Sequence, residues 1–244
     1  MQTDPTHRFT DRADVYALHR PSYPPELTAL LQTECGLTAG STIADIGCGT
    51  GLLAELFLKA GCEVFGVEPN GEMRNSGARQ LAAWPRFHPI DGRAEATTLP
   101  DASVDFVTAG QAFHWFDPAD ARAEFVRILK PSGRIVLVWN ERAVGDGFQA
   151  AYDEIVRRYA PEITRIQHDA IDVVFGGSPW RLVEFENRQV FDLAGLQGRL
   201  ASSSYAPARG TAAYQEMLDA LSALFDAYQT NGRVTLLYDT KLYL

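Results

Sequence analysis

Short apolar runs alternate with helical patterns along the first 140 residues of this chain. Where β-branched and apolar residues run together we predict strands, at residues 42–46, 63–67, 87–90, 104–110 and 134–139. Leu52, Leu53, Leu56 and Phe57 recur at helical spacing after the first of these runs, and Gly61 stands where a helix C-cap glycine belongs. Strands that alternate with helices predict an α/β fold with a parallel sheet.

The pattern becomes less regular after residue 140. Residues 148–186 look helical and irregular, and residues 188–192 and 234–243 predict two further strands. An apolar stripe at three- and four-residue spacing predicts a helix between Tyr214 and Tyr228, where core packing is the expected role of the stripe.

A glycine-rich turn follows the first predicted strand. Gly47, Gly49 and Gly51 occupy alternate positions, and the helical pattern begins at Leu52. A strand, a glycine loop and a helix in this order are typical of a nucleotide site, because glycine lets a ligand lie directly on the backbone. A dinucleotide fingerprint needs its third glycine at the position of Leu52, so the spacing argues against a nicotinamide cofactor.

An acidic residue ends the second predicted strand. Glu68 lies about 20 residues beyond the glycine loop, where a carboxylate can accept hydrogen bonds from both hydroxyls of a ribose. Met73 follows in the next helix and either packs on a purine or belongs to the core.

Several motifs together resemble the class I S-adenosylmethionine-dependent methyltransferases of the methyltransferase type 11 group. They are Asp-x-Gly-x-Gly-x-Gly from Asp45, the acidic Glu68, Gly-x-Ala-Glu at 92–95, His-Trp-Phe at 114–116 and Lys-Pro-Ser-Gly at 130–133. With Tyr16, Arg20 and Pro21 they also resemble, more loosely, the trans-aconitate methyltransferase group.

This resemblance implies a Rossmann-like, seven-stranded, mostly parallel sheet with an antiparallel last strand at its edge and helices on both faces. It also implies a division of the chain into N-terminal lid helices (1–40), a cofactor-binding α/β core (41–140), a cap inserted after strand five (141–187) and the C-terminal part of the core (188–244). The implied cofactor is S-adenosyl-L-methionine. We expect it to contact Tyr16, Arg20, Asp45, Gly47, Cys48, Gly49, Glu68, Pro69, Met73, Ala94, Glu95 and Gln111.

Two of these expectations leave an alternative open. Tyr16 and Arg20 either close over the methionine end of the cofactor or belong to a helix packed on the sheet edge. Arg93 stands where the family usually has Asp, so backbone groups of Ala94 and Glu95 are the expected contacts with the adenine.

The implied reaction is direct displacement of the methyl group from a sulfonium, which needs no metal, and no metal-ligand cluster is evident. A carboxylate acceptor needs no base, whereas a hydroxyl or amine acceptor needs one, for which His114 is the candidate. The alternative for His114 is packing among its aromatic neighbours. Four residues are candidates to hold a carboxylate: Arg142, Arg181, Arg209 and Tyr205.

Composition narrows the partners. A net charge of −9 argues against a nucleic-acid substrate and leaves a small molecule as the expected acceptor. The three cysteines show no pairing pattern, and no apolar run is long enough for a membrane span or a signal segment, so a cytoplasmic location is expected. A non-catalytic S-adenosylmethionine-binding or sensor protein is the alternative function, followed by a nicotinamide-dependent oxidoreductase.

Overall fold

The computed structural model describes residues 19–159, 168–203 and 205–244. Within these residues seven strands form one sheet in the order β3-β2-β1-β4-β5-β7-β6. The strands are β1 (Thr42–Ile46), β2 (Glu63–Val67), β3 (Phe87–Ile90), β4 (Val104–Gly110), β5 (Leu129–Arg142), β6 (Leu182–Phe191) and β7 (Val234–Tyr243). The helices are α1 (Glu26–Cys35), α2 (Leu52–Lys59), α3 (Gly71–Gln80), α4 (Pro118–Ile128), α5 (Gly147–Tyr159), α6 (His168–Phe175), α7 (Leu193–Ala201) and α8 (Ala212–Tyr228).

The central strands are buried on both faces, which is why they read as continuous apolar runs. Ile43 of β1 packs into a cluster that contains Leu31 of α1 and Phe57 of α2. The next residue, Ala44, points to the opposite face and joins a cluster that contains Phe125 of α4. Helices therefore cover both faces of the sheet, as the resemblance implies.

The last strand is antiparallel, but our prediction that it lies at the edge is wrong. β7 pairs antiparallel with β5 on one side and with β6 on the other, so β6 and β3 form the edges. The chain crosses from β5 to β6 and returns through β7 into the gap between them. Sequence order alone does not reveal this insertion.

The two strands that flank β7 are longer than predicted. β6 begins at Leu182, six residues before its predicted start, so residue 187, the expected end of the cap, falls inside this strand. Every second residue of β6 is exposed, and polar residues such as Glu184 and Glu186 interrupt the apolar pattern, as on many edge strands. β5 includes residues 130–133, which bulge between the pairs Val104–Leu129 and Phe106–Arg134.

A second apolar cluster lies beside the carboxyl ends of the strands. Arg142, the last residue of β5, pairs with Tyr238, and β7 continues for four more residues against β6. On this extension α5, α7 and α8 pack through buried side chains that include Tyr152, Leu200 and Met217. We call these three helices the helical layer.

Candidate active site

The glycine loop connects β1 to α2 through three residues in the left-handed region. Gly47, Gly49 and Gly51 have φ values of 66°, 57° and 86°, which side chains with a Cβ rarely adopt. A Cβ at Gly47 would lie 2.7 Å from the Cβ of Ala112. The loop therefore has both the conformation and the close approach that require glycine.

Glu68 ties this loop to the end of β2. One carboxylate oxygen, Oε2, accepts a hydrogen bond from the Gly49 N–H at 3.0 Å, and Oε1 accepts one from the Asn70 N–H at 2.9 Å. The residue is buried, and burial raises the pKa of the carboxyl group, although both N–H bonds and Arg74 oppose that shift. Each oxygen keeps a second lone pair with which it can accept a hydroxyl.

A cavity opens at the carboxyl ends of β1, β2 and β4, where ligands of open α/β sheets bind. Eight of the predicted cofactor residues line it: Gly47, Gly49, Glu68, Pro69, Met73, Ala94, Glu95 and Gln111. Met73 is buried and its Cε would lie 3.3 Å from a Cβ at Gly49, so it contacts both the core and the cavity. The two alternatives for this residue are therefore compatible.

Asp45 and Cys48 lie behind the loop rather than on the cavity wall. Asp45 is 1% exposed, and its Oδ1 accepts a hydrogen bond from the Thr108 hydroxyl at 3.0 Å. Burial raises the pKa of Asp45 to about 7 against the opposing effects of Thr108 and the Ala54 N–H. Burial also raises the pKa of the Cys48 thiol, which keeps the thiol protonated at neutral pH. Both residues are placed to support the loop.

The N-terminal segment crosses above β5 and β6, held by polar side chains. Asn187 donates to the Ser22 carbonyl at 2.7 Å, Gln189 donates to the His19 carbonyl at 3.1 Å, and Arg20 donates to the Ser202 carbonyl at 3.2 Å. Arg20 thus faces the helical layer. Tyr16 lies outside the described residues.

The segment after β4 is strained where it meets the cavity. Gln111 has a φ of 56°, a conformation that costs a residue with a side chain about 1–3 kcal/mol. Its side-chain amide donates to the Asn140 carbonyl at 2.7 Å. A 3₁₀ turn at Phe113–Trp115 follows and presents Trp115 to the cavity.

His114 belongs to this turn, but it is exposed and is not among the residues that line the cavity. Its ring contacts Trp115 at 4.7 Å between centroids. Desolvation by the surrounding chain lowers the pKa of His114, yet water at the exposed edge of the ring limits this shift.

The cavity also contains residues that our sequence analysis did not predict as contacts. Asn70 accepts the Met73 N–H at 3.0 Å and so begins α3, and Arg93 lies 3.3 Å from Glu95. The unpredicted wall residues are Asn70, Arg93, Ala112, Trp115 and Phe116. For Asn70 a signal was available, because an Asn at a helix N-cap directly after Glu68 must lie at the same strand end.

The four candidates for holding a carboxylate separate into two groups. Arg142, at the end of β5, and Tyr205, between α7 and α8, lie against the helical layer, where the Arg142 Nε donates to Asp153 of α5 at 2.5 Å. Arg181 precedes β6, at the opposite, amino end of the strands, and pairs with Glu34. Arg209 is exposed in the turn before α8. The structure therefore brings two of the four together.

The donor set of the cavity fits an adenosyl group. A carboxylate with free lone pairs matches ribose hydroxyls, apolar Met73, Ala94 and Phe116 match a purine, and the glycine loop permits close approach. Among the described residues no group of His, Cys, Asp or Glu is arranged to hold a metal ion. None of the described helices combines the length and apolar character needed to cross a membrane.

Comparison with known proteins agrees with this geometry. Residues 44–137 match the family model described as a methyltransferase domain. The chain is 39% identical over 150 residues to an uncharacterized methyltransferase of Mycobacterium tuberculosis, covering 62% of this chain and 59% of that protein. It therefore spans somewhat more than half the length of this curated relative.

Solved structures share the fold. A candidate type II methyltransferase from Anaeromyxobacter dehalogenans superposes with a TM-score of 0.65 at 25% identity, covering 92% of this chain and 95% of the other. A SAM-dependent methyltransferase from Aquifex aeolicus superposes with a TM-score of 0.53 at 19% identity, covering 74% and 91%. Together with the glycine loop and Glu68, these matches identify residues 44–137 as a methyltransferase domain of the S-adenosylmethionine-dependent kind, with S-adenosylmethionine as the implied cofactor.

Proposed function

We propose that this chain transfers a methyl group from S-adenosylmethionine to an oxygen of a small molecule, either a carboxylate or a hydroxyl. The observation that carries the proposal is the position of Glu68, which lines the cavity while the Gly49 and Asn70 N–H groups hold its two oxygens. A carboxylate fixed in this way is preorganised to accept ribose hydroxyls, which supports a cofactor position along the carboxyl ends of the strands.

The cofactor, when bound, supplies a sulfonium methyl that the acceptor oxygen attacks, so that a C–O bond forms while the C–S electron pair returns to sulfur. The protein mainly has to orient the two reactants and exclude water. Gly47 and Gly49 let the cofactor approach the backbone, and Trp115 and Phe116 close the apolar side of the cavity. The helical layer and the N-terminal segment cover the neighbouring strand ends, where the acceptor would enter.

The role of His114 depends on the acceptor. A carboxylate is ionised at neutral pH and needs no base, whereas a hydroxyl must lose its proton. Because the imidazole is exposed and stands behind Trp115, a carboxylate acceptor agrees better with its position. We expect His114→Ala to keep near-normal turnover with a carboxylate acceptor, whereas loss of turnover with intact cofactor binding would assign the imidazole as a base.

The proposal is tested in two steps. Calorimetry should detect binding of S-adenosylmethionine and S-adenosylhomocysteine but not of nicotinamide nucleotides. Transfer of a labelled methyl group to a panel of small carboxylic acids and alcohols should then give a labelled product. Cofactor binding without transfer to any member of the panel would favour the sensor function instead.

A further inference from the structure

The helical layer contains a buried arginine that has no carboxylate partner among the described residues. Arg199 of α7 is 5% exposed, and its Nε donates to the Tyr238 hydroxyl at 3.1 Å while Nη1 donates to the Ser203 hydroxyl at 3.3 Å. Among the described residues, no Asp or Glu forms an ion pair with it. A buried guanidinium that has only neutral partners is unfavourable, because a charge taken out of water needs an opposite charge to compensate it.

The neighbouring charges do not neutralise this one. Arg142, at the end of β5, is half-buried, and its Nε is paired with Asp153 at 2.5 Å. Its guanidinium carbon lies 6.0 Å from the centre of the Tyr152 ring, and that of Arg199 lies 5.9 Å from the centre of the Tyr238 ring. Among the described residues these two guanidinium groups therefore have one carboxylate partner between them, and Arg20, which faces the same layer, adds a third cation near Tyr205, so positive charge remains available for an anion.

A hydroxyl lies in the same cluster. Burial alone would raise the pKa of Tyr205, but Arg142 and Arg199 outweigh burial and lower it. A more acidic hydroxyl is a stronger donor to an anion. The Tyr205 hydroxyl can therefore donate a hydrogen bond to the same anion that the two guanidinium groups attract.

The cluster lies near the cavity, at the carboxyl end of β5, the strand next to β4. Gln111 lines the cavity and donates to the carbonyl of Asn140, and Arg142 follows two residues later, or about 7 Å along β5. Tyr238 pairs with Arg142 across the strands, and its hydroxyl accepts the bond from Arg199. This path connects the proposed cofactor site to the unpaired charge.

We propose that Arg199, Arg142 and Tyr205 form an anion subsite that binds a carboxylate group of the methyl acceptor. The inference rests on the proposed function, since it assigns the substrate class of the same site. The uncompensated positive charge suits a carboxylate, and a planar guanidinium can bond both of its oxygens.

The test uses calorimetry on the intact chain saturated with S-adenosylhomocysteine. The probes are acetate, succinate and benzoate, each compared with its neutral amide. The wild type should bind at least one acid and none of the amides. Arg199→Met should weaken that binding by at least about tenfold, the loss expected when a bond to a charged group is removed. Arg181→Met is the matched control, because it removes an arginine at the opposite, amino end of the strands, and it should leave acid binding unchanged.

Folding of Arg199→Met is checked by circular dichroism and by thermal unfolding. Should it not fold, Tyr205→Phe provides the second test, since it keeps the charge and removes only the hydroxyl; we expect binding about fivefold weaker.

Three results would overturn the subsite. The first is a wild type that binds S-adenosylhomocysteine but none of the acids. The second is equal binding of acids by the wild type and folded Arg199→Met. The third is a loss of cofactor affinity in Arg199→Met with unchanged acid binding, which would assign the charge to the methionine carboxylate. A wild type that binds no S-adenosylhomocysteine contradicts the proposed function instead, and acid binding can then be measured without it.

Discussion

Replacing Glu68 with alanine should affect cofactor binding and stability separately, because this carboxylate has two sets of partners. If it accepts both ribose hydroxyls, its loss should weaken S-adenosylhomocysteine binding by about 2–3 kcal/mol, or roughly 30- to 150-fold. The same change leaves the Gly49 and Asn70 N–H groups without their acceptors at 3.0 and 2.9 Å. Each unsatisfied buried donor costs about 1–3 kcal/mol.

The net loss of stability should be smaller than that sum. Burial raises the pKa of Glu68, so the ionised carboxylate is itself unfavourable in the folded state, and its removal offsets part of the cost. We therefore expect a net loss of about 1–2 kcal/mol, which lowers Tm by about 2–8 °C in a chain of this size. Calorimetric titration measures the first effect and differential scanning calorimetry the second.

Glu72→Ala is the matched control, since Glu72 is exposed in the first turn of α3. It should change neither the affinity nor Tm. A folded Glu68→Ala protein with unchanged affinity would refute the ribose assignment. An unchanged Tm would refute the conclusion that Glu68 anchors the glycine loop.

Three other substitutions test the support of the site. Because the pKa of Asp45 is raised to about 7, the folded state holds a proton that the unfolded state releases near pH 4. The free energy of unfolding of the wild type should therefore fall as the pH rises from 4 to 7. Asp45→Asn should remove about 2–4 kcal/mol of that fall, measured by urea unfolding at pH 5 and 8. Gly47→Ala should abolish cofactor binding, whereas Gly36→Ala, with a similar φ but open space around it, should lower stability alone. Equal effects of the two variants on cofactor binding would refute the conclusion that the close approach of Gly47 to Ala112 requires glycine. Hydrogen bonds from Arg127 first, and then from Thr97, lower the pKa of Glu124 to about 2. The stability that the ionised Glu124 contributes to the fold is therefore present above pH 4.5 and is lost toward pH 2. In denaturant titrations, Glu124→Gln should cost about 1–3 kcal/mol at pH 7 and little near pH 2.

The parallel core was predictable because burial on both faces leaves a simple trace in the sequence. The bounds of β1, β2, β3 and β4 agree with the predicted runs; the first three are followed directly by a Gly or an acidic residue, and β4 ends at Gly110. β6 was predicted too short, since an edge strand with one polar face has no continuous apolar run. The position of β7 was not predictable, because pairing across the sheet depends on contacts distant in sequence.

The candidate site divides in the same way. Glycines and acidic residues at strand ends, such as Gly49 and Glu68, line the cavity as the motif implies. The anchoring of Glu68 by backbone N–H groups and the burial of Arg199 depend on tertiary packing. A single arginine on an ordinary amphipathic helix gives no signal in the sequence that it is buried or that the rest of the described chain supplies it no carboxylate.

The insertion of β7 between β5 and β6 has a consequence for synthesis on the ribosome. The β5 residues Leu137–Arg142 can complete their hydrogen bonds only after β7 has emerged, roughly 90 residues later. At about 5–20 residues per second, that edge stays unpaired for roughly 5–18 s. During this interval it has the backbone groups of an open template for another strand, so the nascent chain is most exposed to aggregation, and most in need of a chaperone, before the last two of its seven strands have joined the sheet.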